Sequence, residues 1–351
     1  MDGNFFIKTK IIFGRNSIER LSADGEKAVI FSSNSMLRYG FTNEVINAID
    51  MPYFLIKDIK PEPEEKEIGK YVEMLEKQKP EVIVAIGGGS VIDTAKAALY
   101  HYKKAKLVAI PSTSGSGSEV TRASVISKNG LKYSIVAKHI APSLAILDPR
   151  LPEKMSSKLA AITGMDALAH AIESYVSNTS SPFTKAYSIK AIKDIFEYLP
   201  ESVNGGEEAR EKMHYAACMS GIAISNARVG ICHVMAHKLG IFNIPHGLAV
   251  ALLLEETMKF NMQNKRARKE YDMIAREIGL ENGGELIEKI KELKKKVGIK
   301  GMREYVKEEE YEDKIELMAS MASDDKLLDF NPVKAGKEEI KEIYWKAYGC
   351  L

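Results

Sequence analysis

The stretch 81-EVIVAIGGGS-90 decides how the first half of this chain is expected to fold. Residues 81–86 suit a buried strand, and three glycines then lead directly into a helical pattern at 91–102. Such a turn presents backbone N–H groups and a helix N-terminus to a phosphate, with Ser90 as helix cap or donor. The run matches neither G-x-G-x-x-G nor the phosphate loop ending in Gly-Lys-Ser/Thr, so a tight turn without a ligand remains an open interpretation.

Strand and helix patterns alternate on both sides of this stretch. The other predicted strands cover 27–33, 52–56, 106–110, 133–137 and 143–147, with helices at 35–49 and up to residue 78. This alternation predicts an α/β fold with a mainly parallel sheet. A second loop, at 111–118, is rich in small hydroxyl residues, and two such loops at one sheet edge predict a Rossmann-like dinucleotide site.

The pattern changes after residue 151. Strand-like runs disappear and a 3.6-residue period dominates almost to the end, which predicts an all-helical second half. We therefore expect an α/β dinucleotide-binding domain at 1–151 and an all-helical metal-binding, catalytic domain at 152–351, a division that a length of 351 residues also favours. An active site is then expected in the cleft between the two domains.

The composition narrows the class of partner. A net charge of +2, with 28% charged residues, predicts no general attraction to nucleic acid or to an anionic membrane, so a small molecule is the expected partner. The chain shows no secretory signal and no apolar run near the roughly 20 residues that span a bilayer, which favours a cytoplasmic location. Cys218, Cys232 and Cys350 lack paired spacing, so no disulfide framework is expected.

Three of the chain's seven histidines fall within 14 positions, and two of them, His233 and His237, share one face of a predicted helix. Upstream, Asp166 and His170 have the same spacing, on a helix that Thr163 is expected to cap. A single histidine on an apolar helix face is usually an ordinary core residue, but this cluster favours a shared metal. The expected ligands of one divalent cation are Asp166, His170, His233 and His246, with His237 unligated beside them.

The glycine, serine and histidine motifs also occur in a specific order. Gly87 to Ser90 is followed by Asp93, Ala95 and Lys96, then by a serine–glycine run ending at Thr121, by Asp166 with His170, and by His233, His237 and Pro245-His246-Gly247. In this order the motifs resemble the iron-containing alcohol dehydrogenases over nearly the whole chain. The resemblance implies a nucleotide-binding domain followed by a helical metal domain, bound Fe(2+), and a homodimer. One aspartate and three histidines would also suit Zn(2+), so the identity of the metal stays open.

Residue roles follow from the same resemblance. It implies that the four expected ligands bind the metal and that His237 relays a proton at the substrate. The residues that it implies for cofactor binding are Ser33, Gly87, Gly88, Gly89, Ser90, Asp93, Ser112, Thr113, Ser116, Thr121, Lys132 and Leu147. Arg228 departs from the family pattern, in which small residues are common at this position.

The implied reaction is reversible hydride transfer between a primary alcohol and NAD(P), with the metal lowering the pKa of the alcohol. The alternatives are a glycerol, polyol or glycerol-phosphate dehydrogenase of the same fold, or a lyase of the dehydroquinate synthase type. His170, a fourth ligand that the glycerol lineages usually lack, disfavours the first group. The lyase would need a basic pocket, and only Arg228 and Lys238 lie near the ligand helices.

Cofactor choice depends on Ser33, at the end of the first α/β strand. An acidic side chain there would bind the adenosine ribose of NAD and repel the 2′-phosphate of NADP. No carboxylate occurs between Glu26 and Glu44, and Arg38 lies within one helical turn. The sequence therefore predicts a preference for NADP(H), unless these serines merely cap the following helix.

Overall fold

The first part of the chain is built on a parallel sheet. The computed structural model describes residues 4–60, 63–128 and 131–349. The strands are β1 (Lys10–Phe13), β2 (Ala28–Ser32), β3 (Tyr53–Ile56), β4 (Val82–Gly87), β5 (Lys106–Pro111), β6 (Ala123–Lys128), β7 (Leu131–Val136) and β8 (Leu144–Leu147). Six of them form one sheet in the order β1-β8-β5-β4-β2-β3, with every neighbouring pair parallel, whereas β6 and β7 form an antiparallel hairpin. The predicted parallel α/β fold is confirmed.

Helices cover both faces of this sheet. They are α1 (Asn34–Arg38), α2 (Phe41–Ala48), α3 (Glu65–Gln78) and α4 (Gly89–Tyr102). Alternate residues of one strand enter opposite cores: Val29 packs in a cluster with Leu75 of α3, and Ile30 packs in a cluster with Val45 of α2. Because both faces are buried, the strands appear in the sequence as continuous apolar runs.

The second part is helical, as predicted. Its helices are α5 (Ser157–Val176), α6 (Pro182–Val203), α7 (Glu207–Ala227), α8 (Ile231–Lys238), α9 (His246–Asn261), α10 (Lys265–Glu277), α11 (Gly283–Lys296), α12 (Glu308–Ser323) and α13 (Lys337–Tyr348). They share one apolar core, in which Met165 and Leu168 of α5 pack with Val250 of α9. Within the described ranges, no helix is both long and apolar enough to cross a membrane.

Several local predictions are wrong. The helix predicted at 35–49 is divided because Gly40, with a φ of 83°, separates α1 from α2. Thr163 does not cap α5, which begins earlier with Ser156 as its cap, so Thr163 lies inside the helix. The hairpin strand β6 was not predicted. Cys218 and Cys232 are buried free thiols, as expected, and Cys350 lies outside the described residues.

Candidate active site

A cavity of about 470 Å³ lies between the carboxyl edge of the sheet and the helices of the second part. It contains most of the residues that the sequence nominated. The nominated residues in its lining are Gly88, Gly89, Ser90, Asp93, Thr113, Ser116, Thr121, Lys132, Asp166, His170, His233, His237 and His246. The fold therefore brings the glycine turn, the serine loop and the histidine helices to one space.

Four nominated cofactor residues, Ser33, Gly87, Ser112 and Leu147, are not in that lining. Gly87 is the first residue of the glycine turn, and Ser33 and Ser112 lie next to it. The backbone N–H of Ser112 donates to the carbonyl of Gly87 at 2.9 Å, and a Cβ on Gly87 would lie 3.3 Å from the Cβ of Ser33. Leu147 instead packs in a small apolar cluster with Val120.

The serine loop joins the two parts of the molecule. Gly117, with a φ of 61°, packs backbone to backbone against Gly221 of α7, and a Cβ on Gly117 would meet the Cα of Gly221 at 2.4 Å. Only glycine at both positions permits this approach. The contact holds the cofactor-side loop against a helix of the second part.

Lys96, on α4, fastens the end of the same loop. Its side chain is fully buried, and the ammonium donates to the backbone oxygens of Ser118 at 2.5 Å, Thr121 at 2.9 Å and Ala123 at 2.8 Å. Burial lowers the pKa of Lys96 to about 8, although the negative charge of Asp93 acts in the opposite direction and raises it. The resemblance included Lys96, but its structural role was not predicted.

Three of the expected metal ligands converge. Asp166, His233 and His246 each offer a ligand atom, and these atoms lie within 4.8 Å of one another. An oxygen of Asp166 is 3.4 Å from Nε2 of His233 and 3.6 Å from Nε2 of His246. The fourth, His170, stacks on His233 with ring centroids 4.3 Å apart.

All four carry a buried polar atom without a hydrogen-bond partner among the described residues. These atoms are Asp166 Oδ1, His170 Nδ1, His233 Nε2 and His246 Nδ1. Burying so many polar atoms unpaired would cost several kcal/mol, because each costs about 1–3 kcal/mol. One carboxylate and three imidazoles are also a donor set that suits a divalent transition metal. The residues present therefore fit such an ion.

Glu173, which the sequence reasoning missed, supports this cluster. One of its carboxylate oxygens accepts a hydrogen bond from Nδ1 of His233 at 2.5 Å, and the other accepts from the backbone N–H of Cys232 at 2.7 Å. With Nδ1 engaged as a donor, Nε2 of His233 is the nitrogen left to bind a metal. Glu173 lies seven residues after Asp166 on α5, and this two-turn spacing could have identified it.

The charges of these groups are set by burial and by one another. Burial lowers the pKa of His170 to about 4 and of His246 to about 3, so both are neutral near pH 7. Burial also opposes the protonation of His233, but Glu173 and Asp166 outweigh it and raise its pKa to about 9. Asp166 resists ionisation through burial, yet the surrounding imidazoles hold its pKa below the usual range.

His237 stacks on His246, with ring centroids 5.1 Å apart. Burial, followed by the charges of His246 and His233, lowers the pKa of His237 well below 6.5. Its imidazole is therefore neutral near pH 7.

Family models match both parts of the chain. Residues 8–149 match the model described as iron-containing alcohol dehydrogenase. Residues 160–348 match the model described as the Fe-containing alcohol dehydrogenase family, C-terminal.

Individual proteins match along the full length. An alcohol dehydrogenase of Thermococcus barophilus is 42% identical, over 98% of this chain and 99% of the relative. An NADPH-dependent butanol dehydrogenase of Clostridium saccharobutylicum is 39% identical, over 98% and 97%. The crystal structure of an iron-containing alcohol dehydrogenase from Thermococcus thioreducens is similar with a TM-score of 0.96, 43% identity, and coverage of 98% and 99%.

Proposed function

This chain belongs to the iron-containing alcohol dehydrogenase family and interconverts alcohols and aldehydes with NAD(P), and from that premise we propose how its residues divide the work. Residues 152–351 form the catalytic domain, where Asp166, His170, His233 and His246 hold one divalent metal, Fe(2+) or alternatively Zn(2+). Residues 1–151 form the dinucleotide-binding domain. The nicotinamide cofactor lies along the glycine turn and the serine loop, against the nominated residues there.

The observation that carries this proposal is the set of buried, unpartnered polar atoms on all four ligands. A divalent cation bound there supplies a Lewis acid, which lowers the pKa of an alcohol and polarises an aldehyde carbonyl. The cavity walls hold both reactants and limit the access of water. His237, a neutral base one helical turn after His233, accepts the proton from the substrate hydroxyl and passes it outward.

Removing single ligands tests the metal site. His233→Ala and His246→Ala should each lose bound metal, measured by elemental analysis, and turnover of a primary aldehyde. The Kd for NAD(P)H, measured by nicotinamide fluorescence, should stay close to that of the native protein. His139→Ala, which alters an exposed histidine stacked on Tyr100, is the matched control. Full activity of a chelated, metal-free preparation would overturn the proposal.

NADP(H) is the proposed preferred cofactor. Ser33 caps α1 through the backbone N–H of Met36 and lies 3.0 Å from the hydroxyl of Ser35, so this end of β2 offers hydroxyl groups rather than a carboxylate. The 39% identical butanol dehydrogenase is named as NADPH-dependent, which also supports the proposal. One carboxylate argues against a preference for NADP(H). Asp58 lies next to the end of β2, where it accepts a hydrogen bond from the side chain of Asn34 at 2.8 Å.

The ratio of kcat/KM for NADPH to that for NADH tests this preference. It should exceed one in the native protein and should fall in Ser33→Asp, because a carboxylate repels the 2′-phosphate. Asp58→Asn is the complementary variant and should raise the ratio. A native ratio of one or less would refute the preference.

We also propose a cytoplasmic homodimer formed through the N-terminal domain. Phe13 in the edge strand β1 is 61% exposed, and Phe6, 48% exposed, lies nearby in the chain. Exposed aromatic side chains of this kind are typical of interfaces. Light scattering should give twice the chain mass, and a monomer at micromolar concentration would refute the dimer.

A further inference from the structure

Two arginines lie in the wall of the cavity. Arg122 follows Thr121 just before β6, and Arg228 ends α7; both line the space that contains the metal ligands. Nε of Arg122 is buried with no hydrogen-bond partner within the described ranges. The guanidinium of Arg228 lies 5.9 Å from the ring centroid of Phe330, and in the described part of the chain neither arginine side chain forms an ion pair.

The carboxylates of the cavity do not balance these charges. Asp93 accepts a hydrogen bond from the hydroxyl of Ser118 at 2.6 Å and faces the charge of Lys96. Asp166 belongs to the metal cluster. Both arginines line the same cavity, and burial, followed by the charge of Arg122, lowers the pKa of Arg228. An anion between them would relieve both the desolvation and the repulsion.

The backbone of Arg228 adds an independent observation. Its φ of 66° and ψ of 175° lie in a region that is almost confined to glycine. A glycine would end α7 there without strain, so the termination of the helix does not explain an arginine. The strained backbone is therefore better explained by a role of the arginine side chain itself.

We propose that Arg228, assisted by Arg122, binds an oxyanion on the substrate, so that the preferred aldehydes carry a carboxylate or a similar anionic group away from the carbonyl. This inference rests on the proposed function. Planar guanidinium groups bind carboxylates through paired hydrogen bonds. The cofactor phosphates are the other possible source of an oxyanion, but Arg228 lies two residues before Gly230, the N-cap of the helix that carries His233. It therefore belongs to the wall of the metal ligands rather than to the glycine turn.

Two aldehydes of equal chain length test the proposal. Butanal and 4-oxobutanoate differ in a terminal carboxylate, and the native protein should have the higher kcat/KM for 4-oxobutanoate. In Arg228→Gln the ratio of the two kcat/KM values should fall by about 10- to 100-fold, the factor expected for a lost charge-assisted hydrogen bond. Arg228→Lys should restore part of the ratio. Arg266→Gln, which removes an exposed guanidinium from α10, is the matched control and should leave the ratio unchanged.

Arg228→Gly separates binding from structure. It should raise Tm because it relieves the backbone strain, and yet it should lower the aldehyde ratio as Arg228→Gln does. A lowered Tm with an unchanged ratio would assign Arg228 a purely structural role and overturn the proposal.

The remaining outcomes separate this inference from the proposed function. Calorimetric titration with 4-hydroxybutanoate measures anion binding without turnover, and its Kd should rise in Arg228→Gln. If neither aldehyde is reduced, the proposed function fails, and this Kd alone still decides the role of the arginines. If the aldehyde ratio stays constant and KM for NAD(P)H rises instead, the arginines hold a cofactor phosphate and the inference is overturned.

Discussion

Replacing Glu173 with glutamine should weaken metal binding at the proposed site, although Glu173 is not one of the proposed ligands. In the native protein the carboxylate accepts two buried hydrogen bonds, from His233 at 2.5 Å and from the backbone of Cys232 at 2.7 Å. Glutamine offers one acceptor oxygen, and its amide would point N–H groups at one of these donors. Glu173→Gln therefore loses at least one charge-assisted hydrogen bond and leaves a buried donor unpaired.

The size of the effect follows from these contacts. A hydrogen bond to a charged group contributes about 1.5–3 kcal/mol, which corresponds to roughly a 10- to 100-fold rise in the metal Kd. A second effect opposes it near neutral pH. Because the pKa of His233 is raised to about 9, chiefly by Glu173, a metal must displace a proton from the native site below that pH. At pH 9 this competition is reduced, and the loss of orientation should dominate.

The assay is competition for Zn(2+) between the protein and a chelator at pH 9, with thermal unfolding in the presence and absence of metal as a second readout. Glu270→Gln removes a carboxylate that pairs with Lys185 on α6, at 2.6 Å, and serves as the matched control. A metal Kd for Glu173→Gln within about twofold of the native value would refute the reasoning, since a lost charge-assisted bond predicts at least about tenfold.

Other predictions concern the loop that joins the two parts. Lys96→Met should lower the free energy of unfolding at pH 7 by about 3–5 kcal/mol, measured by urea denaturation, because several buried acceptors lose their donor. The pKa of Lys96 is about 8 in the folded protein and about 10.5 in the unfolded chain, so between these pH values the unfolded chain binds more protons. The native protein should therefore gain stability relative to the variant by roughly 3 kcal/mol from pH 8 to 10.5. A difference that does not change with pH would show that Lys96 stays charged when folded. Gly221→Val should lower the free energy of unfolding by about 1–3 kcal/mol and raise KM for NAD(P)H, because even a Cβ at Gly221 would lie 2.7 Å from the Cα of Gly117. Gly240→Val is the control, since a Cβ at Gly240 would have no atom within 4 Å.

The sheet could be predicted from local patterns alone. Runs such as 82–87 bury both faces of a parallel strand, so continuous apolarity and the glycines that follow indicate the strand and its turn directly. The four-residue spacing of Asp166 and His170 depends only on helical geometry, so these two residues could be nominated together without the tertiary structure. The break at Gly40 was missed because one glycine inside a helical pattern can be tolerated or can end the helix, and the local sequence does not distinguish these outcomes.

Contacts between distant segments of the chain were decided only by the tertiary structure. Glu173 and His233 are 60 residues apart, and their hydrogen bond exists because α5 and α8 pack side by side. Lys96 reaches acceptors as far along the chain as Ala123, and Arg228 lines the same cavity as Arg122 only after the helices dock on the serine loop. Periodicity specifies which face of an element is apolar, but the partner of a buried polar group depends on how whole elements are docked. For that reason the sequence could nominate candidate metal ligands, and only the packed structure identified the side chains that orient and surround them.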